Sequence, residues 1–170
     1  GLALLFLADN HKWKSLFEMR KVTDNGNPYA GPQLPDLILG IQDAMIAAQN
    51  CVIAAESLGL GTCYIGDIVE RAEFHRELFH LPSHTMPVTL VVIGHFDIKP
   101  KLRTRFDVQY VAFDEAYPDV DEVFINGMFH KDELKKADFA QAFYSRKLGS
   151  EFFKEMVRSI RIYLYQWLRD

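Results

Sequence analysis

The sequence predicts a mixed fold in which helices pack against a β-sheet. Three segments carry this prediction: an apolar run at residues 2–8, a long helix over residues 36–58 and a β-branched strand over residues 87–94. The chain has 170 residues, of which 49% are hydrophobic and 25% are charged. Because this composition is typical of globular proteins and not of disordered or coiled-coil chains, we expect one domain over residues 1–170.

The composition also argues against some classes of binding partner. A net charge of -4 argues against nucleic-acid and membrane-surface binding. Residues 2–8 are too short to span a bilayer and lack the basic flank of a signal peptide. Cys51 and Cys63 match neither a redox CxxC pair nor a zinc ribbon, so we expect reduced thiols in a cytoplasmic protein. A small-molecule function is favoured.

The first half of the chain gives the clearest elements. Residues 2–8 are apolar without alternation, which is typical of a strand covered on both faces. Because chains seldom begin on a buried strand, we expect further sequence upstream. Residues 22–35 are rich in Gly, Pro and Asn and indicate an exposed loop. Asp36 is expected to cap the long helix and Gly59 to end it. Apolar residues surround that helix on nearly all sides, which predicts a central, buried helix.

The second half is more varied. We predict a strand at 62–65, a helix at 69–81 stopped by Pro82, the strand at 87–94, an extended segment at 106–113, irregular structure at 118–130, and helices at 131–148 and 150–168. The last helix carries one apolar stripe, formed by Phe153, Met156, Val157, Ile160, Leu164 and Trp167. Such a stripe indicates a core helix or one that docks on a second subunit.

Several familiar motifs are absent or incomplete. Gly59, Gly61 and Gly66 follow a helix with GxGxxxxG spacing, whereas a dinucleotide fingerprint is GxGxxG after a strand. His75 and His80 precede Pro82 and His84 without an HExxH pattern, so surface histidines are expected and no metal site is predicted. No serine lies in a GxSxG elbow. The motifs therefore do not predict covalent or metal-dependent catalysis.

The strongest charge pattern is the segment KPKLRTR. Lys99, Lys101, Arg103 and Arg105 occupy every second position. If the segment is extended, this spacing places all four on one side and makes a basic ridge suited to a phosphate. Lysine and arginine on a sheet edge, where they discourage aggregation, would give the same pattern. The residues alone leave both interpretations open.

Two longer segments resemble a known family. They are DAMIAAQNCVIAAESLGLGTCYIGDI, residues 43–68, and LPSHTMPVTLVVIGHFDIKPKL, residues 81–102. Both resemble the FMN-dependent nitroreductase family, in particular its NADPH nitroreductase and flavin reductase branch. The resemblance covers about residues 2–102 and implies an α+β fold with a central, mostly antiparallel sheet and helices on both faces. It also implies a homodimer with FMN at the interface, in which residues 106–170 form terminal helices and an arm around the partner.

The resemblance also implies the cofactor contacts. The YIG turn would lie against the isoalloxazine through Tyr64, Ile65, Gly66 and Asp67, with a backbone N–H meeting flavin N5 and O4. A donor aimed at N5 stabilises reduced flavin. The helix that contains Gln49 and Asn50 would be central. Asp67 replaces a second glycine that is usual in this branch, which places an acidic side chain beside the ring.

The phosphate contact implied by the resemblance falls on the ridge. The KPR element of the branch corresponds to Lys99, Pro100 and Lys101, so lysine replaces the bidentate arginine. The arginine-rich segment with which the family begins has no equivalent here, and the chain is expected to be the C-terminal part of the family fold.

The sequence is compatible with three functions. The first is a flavin oxidoreductase that transfers hydride from NAD(P)H through FMN to a nitroaromatic, quinone or similar acceptor, with no catalytic side chain because FMN carries the chemistry. The second is a non-catalytic dimeric protein of the same fold that binds a flavin or a partner. The third is a phosphate-binding domain that uses only the ridge. His11, Trp13 and Phe129 are candidates for lining a substrate space.

Overall fold

The computed structural model describes residues 1–97, 101–129 and 138–169. The chain divides into two compact units. The first contains residues 1–97 and the C-terminal helix, and the second contains the described residues between 101 and 150.

Strands and helices alternate along the first unit. Its strands are β1 (Leu2–Asp9), β2 (Thr23–Asp24), β3 (Asn27–Pro28), β4 (Gly61–Ile65) and β5 (Thr85–Gly94). The helices of the chain are α1 (His11–Met19), α2 (Leu34–Ser57), α3 (Ala72–Leu78), α4 (Glu122–Met128), α5 (Phe139–Lys147) and α6 (Glu151–Arg169). Of these, α4 and α5 belong to the second unit.

The main sheet is antiparallel with strand order β1-β5-β4. Leu90 in the central strand faces Leu5 on one side and Ile65 on the other. The β-branched run predicted at 87–94 is therefore the middle of the sheet, where both edges of the strand are paired. This arrangement confirms the predicted α+β class with an antiparallel sheet.

The long helix α2 lies against this sheet. Gln33, not Asp36, is its N-cap: Asp36 stands three residues later, and its Oδ2 accepts a hydrogen bond from Gln33 N at 2.7 Å. The expected cap was wrong because a Gln–Asp pair forms a reciprocal capping box one turn earlier. Gly59, with φ of 74°, follows the last turn as predicted.

Only one face of α2 is buried within this chain. The buried residues are Leu37, Ala44, Ala48, Val52 and Ala55. Ile38, Ile46 and Ile53 on other faces are 56%, 62% and 57% exposed. The helix is long and apolar enough to cross a bilayer by composition, but its alanine-rich face packs on the sheet as in a core helix. The prediction that it is buried all round is wrong for the chain alone.

Two buried clusters stabilise the first unit. One joins Val91 and Ile93 of β5 to the alanine face of α2. The other joins Ala8 and Met86 to Tyr163 and Trp167 of α6. The C-terminal helix is therefore a core element of the unit formed by the first 97 residues.

The second unit differs most from the predictions. Residues 106–113 contain only a short 3-10 turn at Val108–Tyr110, so the predicted extended segment was wrong. The helix α4 lies where irregular structure was predicted, because the Asp121 side chain accepts a hydrogen bond from Phe124 N at 2.7 Å and caps it. Of the helix predicted at 131–148, residues 139–147 form α5 and residues 131–137 lie outside the described residues.

Candidate functional site

The predicted ring-contacting residues lie where the edge strand β4 ends. Tyr64 and Ile65 are its last two residues, and Gly66 and Asp67 begin a 3-10 turn that runs to Val69. Ile65 is extended, with φ of -111° and ψ of 94°, so the chain changes from strand to helical turn at Gly66. Because the first amides of a helical turn have no acceptor within it, such a junction can offer N–H groups to a ligand.

The space beside Gly66 is open. A Cβ built on this residue meets no atom of the described chain within 4 Å, and both Gly66 and Asp67 are exposed. The 3-10 turn is anchored beneath by Ile68, which is only 7% exposed. The geometry therefore gives a supported backbone turn with room for a planar group against it, which fits an isoalloxazine.

One hydrogen bond ties this turn to α2. Tyr64 OH donates to Gln49 Oε1 at 3.0 Å. The two residues lie 15 positions apart, one on the edge strand and one on the long helix. Tyr64, which the resemblance assigned to the ring contact, is thus brought into direct contact with Gln49 of the central helix.

The segment after the turn is held by α6, a feature that the sequence analysis missed. Ser159 Oγ donates to Val69 O at 2.5 Å and accepts from Ala72 N at 2.9 Å. Ser159 is fully buried. Its signal in the sequence was the spacing of Ser159, Tyr163 and Trp167, the three buried residues of α6, at every fourth position. A stripe defined by apolar side chains alone does not include a serine.

Ion pairs on the surface also join α6 to α3, the helix that follows the turn. Arg158 of α6 contacts Glu73 of α3 through two hydrogen bonds, of 2.6 and 2.9 Å, and also bonds Glu155. The hydrogen bond from Arg158 lowers the pKa of Glu73 to about 2. The Glu73 carboxylate is therefore charged at all ordinary pH values.

The basic ridge is only partly within the described residues. Lys99 and Pro100 lie outside them. Lys101, Arg103 and Arg105 are exposed and belong to the second unit, in a stretch with no regular structure. Neither a ridge along a strand nor a protected sheet edge is present over residues 101–107. The phosphate contact stays a prediction.

A separate cavity of about 500 Å³ lies between β1, α1 and the start of α2. Its lining includes Trp13, Phe17 and Tyr29 together with Asp9, Asp36 and Asp43. Burial, followed by the charges of Asp36 and Glu18, raises the pKa of Tyr29. This aromatic and acidic lining would repel a phosphate, so the cavity does not fit the anionic end of FMN.

The candidate substrate residues do not form one group. Trp13 lines this cavity, whereas His11 begins α1 and lies outside the lining. Phe129 belongs to the second unit, where its ring lies edge-on to Phe106 and tilted against Phe139, at centroid distances of 5.3 and 6.0 Å.

One of the histidines that were expected at the surface is buried. His84 is 2% exposed and lies edge-on to Trp167, with ring centroids 5.5 Å apart. The expectation of a surface histidine was wrong there because the turn before β5 is covered by α6. Among the described residues, no group of His, Cys, Asp or Glu could hold a metal ion. Cys51 and Cys63 are free thiols, as predicted.

The part of the chain that contains the turn at residues 64–67 is similar to known proteins. Residues 29–95 match the nitroreductase family model. The oxygen-insensitive NADPH nitroreductase of Salmonella typhimurium is 38% identical over 86 residues, which are 51% of this chain and 36% of that protein. FMN reductase (NADPH) of Bacillus subtilis is 43% identical over 80 residues, which are 47% of this chain and 32% of that protein. The matches span about a third of the length of these two relatives.

The fold gives an independent comparison. The crystal structure of nitroreductase A from Vibrio parahaemolyticus superposes with a TM-score of 0.75 and 24% identity, over 99% of this chain and 67% of that one. The architecture is that of a nitroreductase-fold α+β protein. The matches confirm the resemblance to the nitroreductase family that the segment around the YIG turn indicated.

Proposed function

We propose that the protein is an NAD(P)H-dependent flavin oxidoreductase that binds FMN at the β4 turn and reduces a nitroaromatic, quinone or similar acceptor. The observation that carries this proposal is the open, supported backbone turn at Gly66 in the segment that matches the family model. Relatives named NADPH nitroreductase and FMN reductase support the same chemistry.

Bound FMN would accept hydride from the nicotinamide and supply electrons to the acceptor. The chain's own contribution is positioning. Backbone N–H groups at Gly66 and Asp67 would donate to the edge of the ring, and Tyr64, fixed by Gln49, would border it. Lys99 and Lys101 would pair with the phosphate as point charges. No side chain is required as a proton donor in this scheme.

Asp67 would tune the cofactor. Asp67 is the second residue of the 3-10 turn, and its side chain is exposed at the position that would face the ring. Because a negative charge beside the ring disfavours the anionic reduced flavin, Asp67→Asn is expected to raise the reduction potential of bound FMN. Glu56→Gln on α2, another exposed acid, serves as the control and should leave the potential unchanged.

The family assembly leads to a proposal on quaternary structure and location. We infer a homodimer in the cytoplasm, with a small-molecule acceptor as the partner and neither nucleic acid nor membrane. The exposed isoleucines of α2 support the dimer, because single chains seldom expose so continuous an apolar face.

The decisive experiment titrates the purified chain with FMN and with riboflavin, which lacks the phosphate. FMN should bind, with a change in flavin absorbance, and NAD(P)H should bleach the yellow complex. Lys101→Ala should weaken FMN binding about tenfold, the loss of one charge-assisted contact, and leave riboflavin binding unchanged. Lys147→Ala, an exposed lysine of α5, is the matched control.

The possible outcomes distinguish the candidate functions from one another. A chain that ignores FMN at every concentration would refute the flavin proposal. A chain that binds FMN but never oxidises NAD(P)H would instead be the non-catalytic flavin binder. Equal loss of FMN and riboflavin binding in Lys101→Ala would exclude a phosphate contact at that residue.

A further inference from the structure

The hydroxyl of Ser159 joins two backbone groups on either side of a tight bend. It donates to Val69 O at 2.5 Å and accepts from Ala72 N at 2.9 Å. Val69 ends the 3-10 turn that begins at Gly66, and Ala72 begins α3. One fully buried side chain of the C-terminal helix therefore closes the chain directly after the candidate flavin turn.

Two neighbours on α6 contact the same bend. Glu155 Oε1 accepts from Arg71 N at 3.2 Å, and Tyr163 OH donates to Ala72 O at 3.4 Å. Glu155, Ser159 and Tyr163 follow one another at intervals of four residues, so they lie on one face of the helix. We call these three residues the α6 clamp.

The bend needs support from outside its own segment. Arg71 has φ of 48° and ψ of 54°, the left-handed conformation, which is unfavourable for a residue other than glycine. Such a conformation persists only where surrounding contacts fix it, and the α6 clamp supplies contacts to Arg71 and to the residue that follows. The other end of the 3-10 turn is fixed by the pairing of β4 with β5.

We propose that Ser159 is a positioning residue for the flavin: through Val69 and Ala72 it holds the turn at residues 66–69 in the orientation that the ring edge requires. The inference rests on the proposed function. Ser159 itself does not contact the cofactor, because it lies beneath the turn with no exposed surface. A helix about 90 residues further along the chain thereby sets the shape of the cofactor site.

The first test needs no cofactor. In Ser159→Ala, hydrogen exchange of the backbone amides of Glu70 and Arg71, which donate to Asp67 O and Glu155 Oε1, should become about tenfold faster in the FMN-free chain, while the amides of β1 and β5 keep their rates. Ser57→Ala removes a hydroxyl that bonds Ala54 O at 2.7 Å on the exposed side of α2, and it should change neither set of amides. An unchanged rate at Glu70 and Arg71, or a uniform increase over the whole chain, would overturn the inference.

The second test uses FMN. Ser159→Ala should raise the dissociation constant for FMN and for riboflavin by the same factor, about tenfold, because the ring contact and not the phosphate contact is affected. An unchanged dissociation constant would overturn the inference even if exchange rises. Failure of the unaltered chain to bind FMN would instead overturn the proposed function, and the flavin part of the inference with it.

A milder variant tests the same inference in case Ser159→Ala folds poorly. Tyr163→Phe removes only the hydroxyl that bonds Ala72 O and leaves the buried ring in place. The amides of Glu70 and Arg71 should exchange faster by a smaller factor, about threefold, with a matching loss of FMN affinity. No change in either quantity would contradict the role of the α6 clamp.

Discussion

Single side chains decide the geometry of the candidate site at the residue scale. Tyr64 is held by one hydrogen bond to Gln49, and the bend after the turn by the hydroxyl of Ser159. Both bonds join positions far apart in sequence, so each fixes a local backbone shape through the tertiary fold. We therefore expect conservative substitutions at Gln49 or Ser159 to change the geometry of the candidate site.

The Arg158–Glu73 pair predicts a pH-dependent stability. The folded-state pKa of the Glu73 carboxyl, about 2, lies below the ordinary value of 4.5. The stabilisation by this pair is therefore present above pH 4.5 and is lost as the pH falls towards 2. Urea midpoints of the native chain and of Glu73→Gln should therefore differ at pH 7 and converge below pH 4.5. The contribution is small because both side chains are exposed.

Glu77→Gln provides the control on the same helix. Glu77 is exposed and makes no ion pair with Arg158. Any difference in urea midpoint between Glu77→Gln and the native chain should therefore not disappear at low pH. A difference for Glu73→Gln that stays constant from pH 7 to pH 3 would contradict the assignment.

Gly61 in β4 is required for steric reasons. A Cβ there would lie 2.6 Å from Cδ1 of Phe96. Gly61→Ala should destabilise the fold by about 1 kcal/mol in urea unfolding, the low end of overpacking costs, because the half-exposed Phe96 ring can move.

Gly66→Ala is the comparison, since the space beside Gly66 is open. It should leave stability within about 0.5 kcal/mol. Combining Gly61→Ala with Phe96→Ala should remove the steric part of the cost. An additive loss in that double variant would mean that the collision is not the cause.

At the scale of elements, α2 has two different faces. Its alanines pack on the sheet and its isoleucines face outwards. A helix apolar on both faces is stable in water when a second surface covers the outer one. The outer face is therefore where the proposed homodimer would form.

Ile46→Asp tests this interface. Ile46 is 62% exposed in the single chain, so a charge there should leave the fold intact and shift the assembly towards monomer by at least tenfold in dissociation constant. Sedimentation equilibrium measures the change. Met19→Asp at the end of α1, at a side chain 74% exposed, also introduces a charge at an exposed apolar position and should leave the assembly unchanged. An unaltered dimer in Ile46→Asp would place the contact elsewhere.

The whole molecule has two units with different internal organisation. The first combines a three-stranded sheet with α2 and α6, and the second consists of short helices joined by aromatic contacts such as Tyr110 against Phe124. Residues 101–107 have no regular structure and are exposed throughout, with Leu102 fully accessible.

Limited proteolysis should begin in this stretch. Trypsin is expected to cleave first after Lys101, Arg103 or Arg105, because proteases cut exposed segments without regular structure before helices and strands. Mass spectrometry of the earliest fragments checks the position. If Lys101 binds the FMN phosphate, added FMN should slow cleavage after Lys101. An earliest cut within α6 or β5 would contradict this order.

Much of the fold could be predicted from residue patterns because local signals and tertiary packing agree in those segments. The strands β1 and β5 and the helix α6 appear within two residues of their predicted bounds. Elsewhere the signal was non-local or was too weak to use. Arg71 adopts a left-handed conformation that no propensity favours, so the helix predicted at 69–81 is instead a 3-10 turn followed by α3. The helix α1 carried no strong periodicity and was not predicted.

The sequence alone determined the resemblance to the nitroreductase family and the position of the YIG turn, because YIG and its flanking helix and strand are local patterns that depend on residue type and spacing. The tertiary structure decided what supports that turn. The bonds of Ser159 to Val69 and of Tyr64 to Gln49 exist only because the fold brings distant segments together. The exposure of one face of α2 was decided in the same way, because burial depends on which surfaces meet and not on the residues of the helix alone.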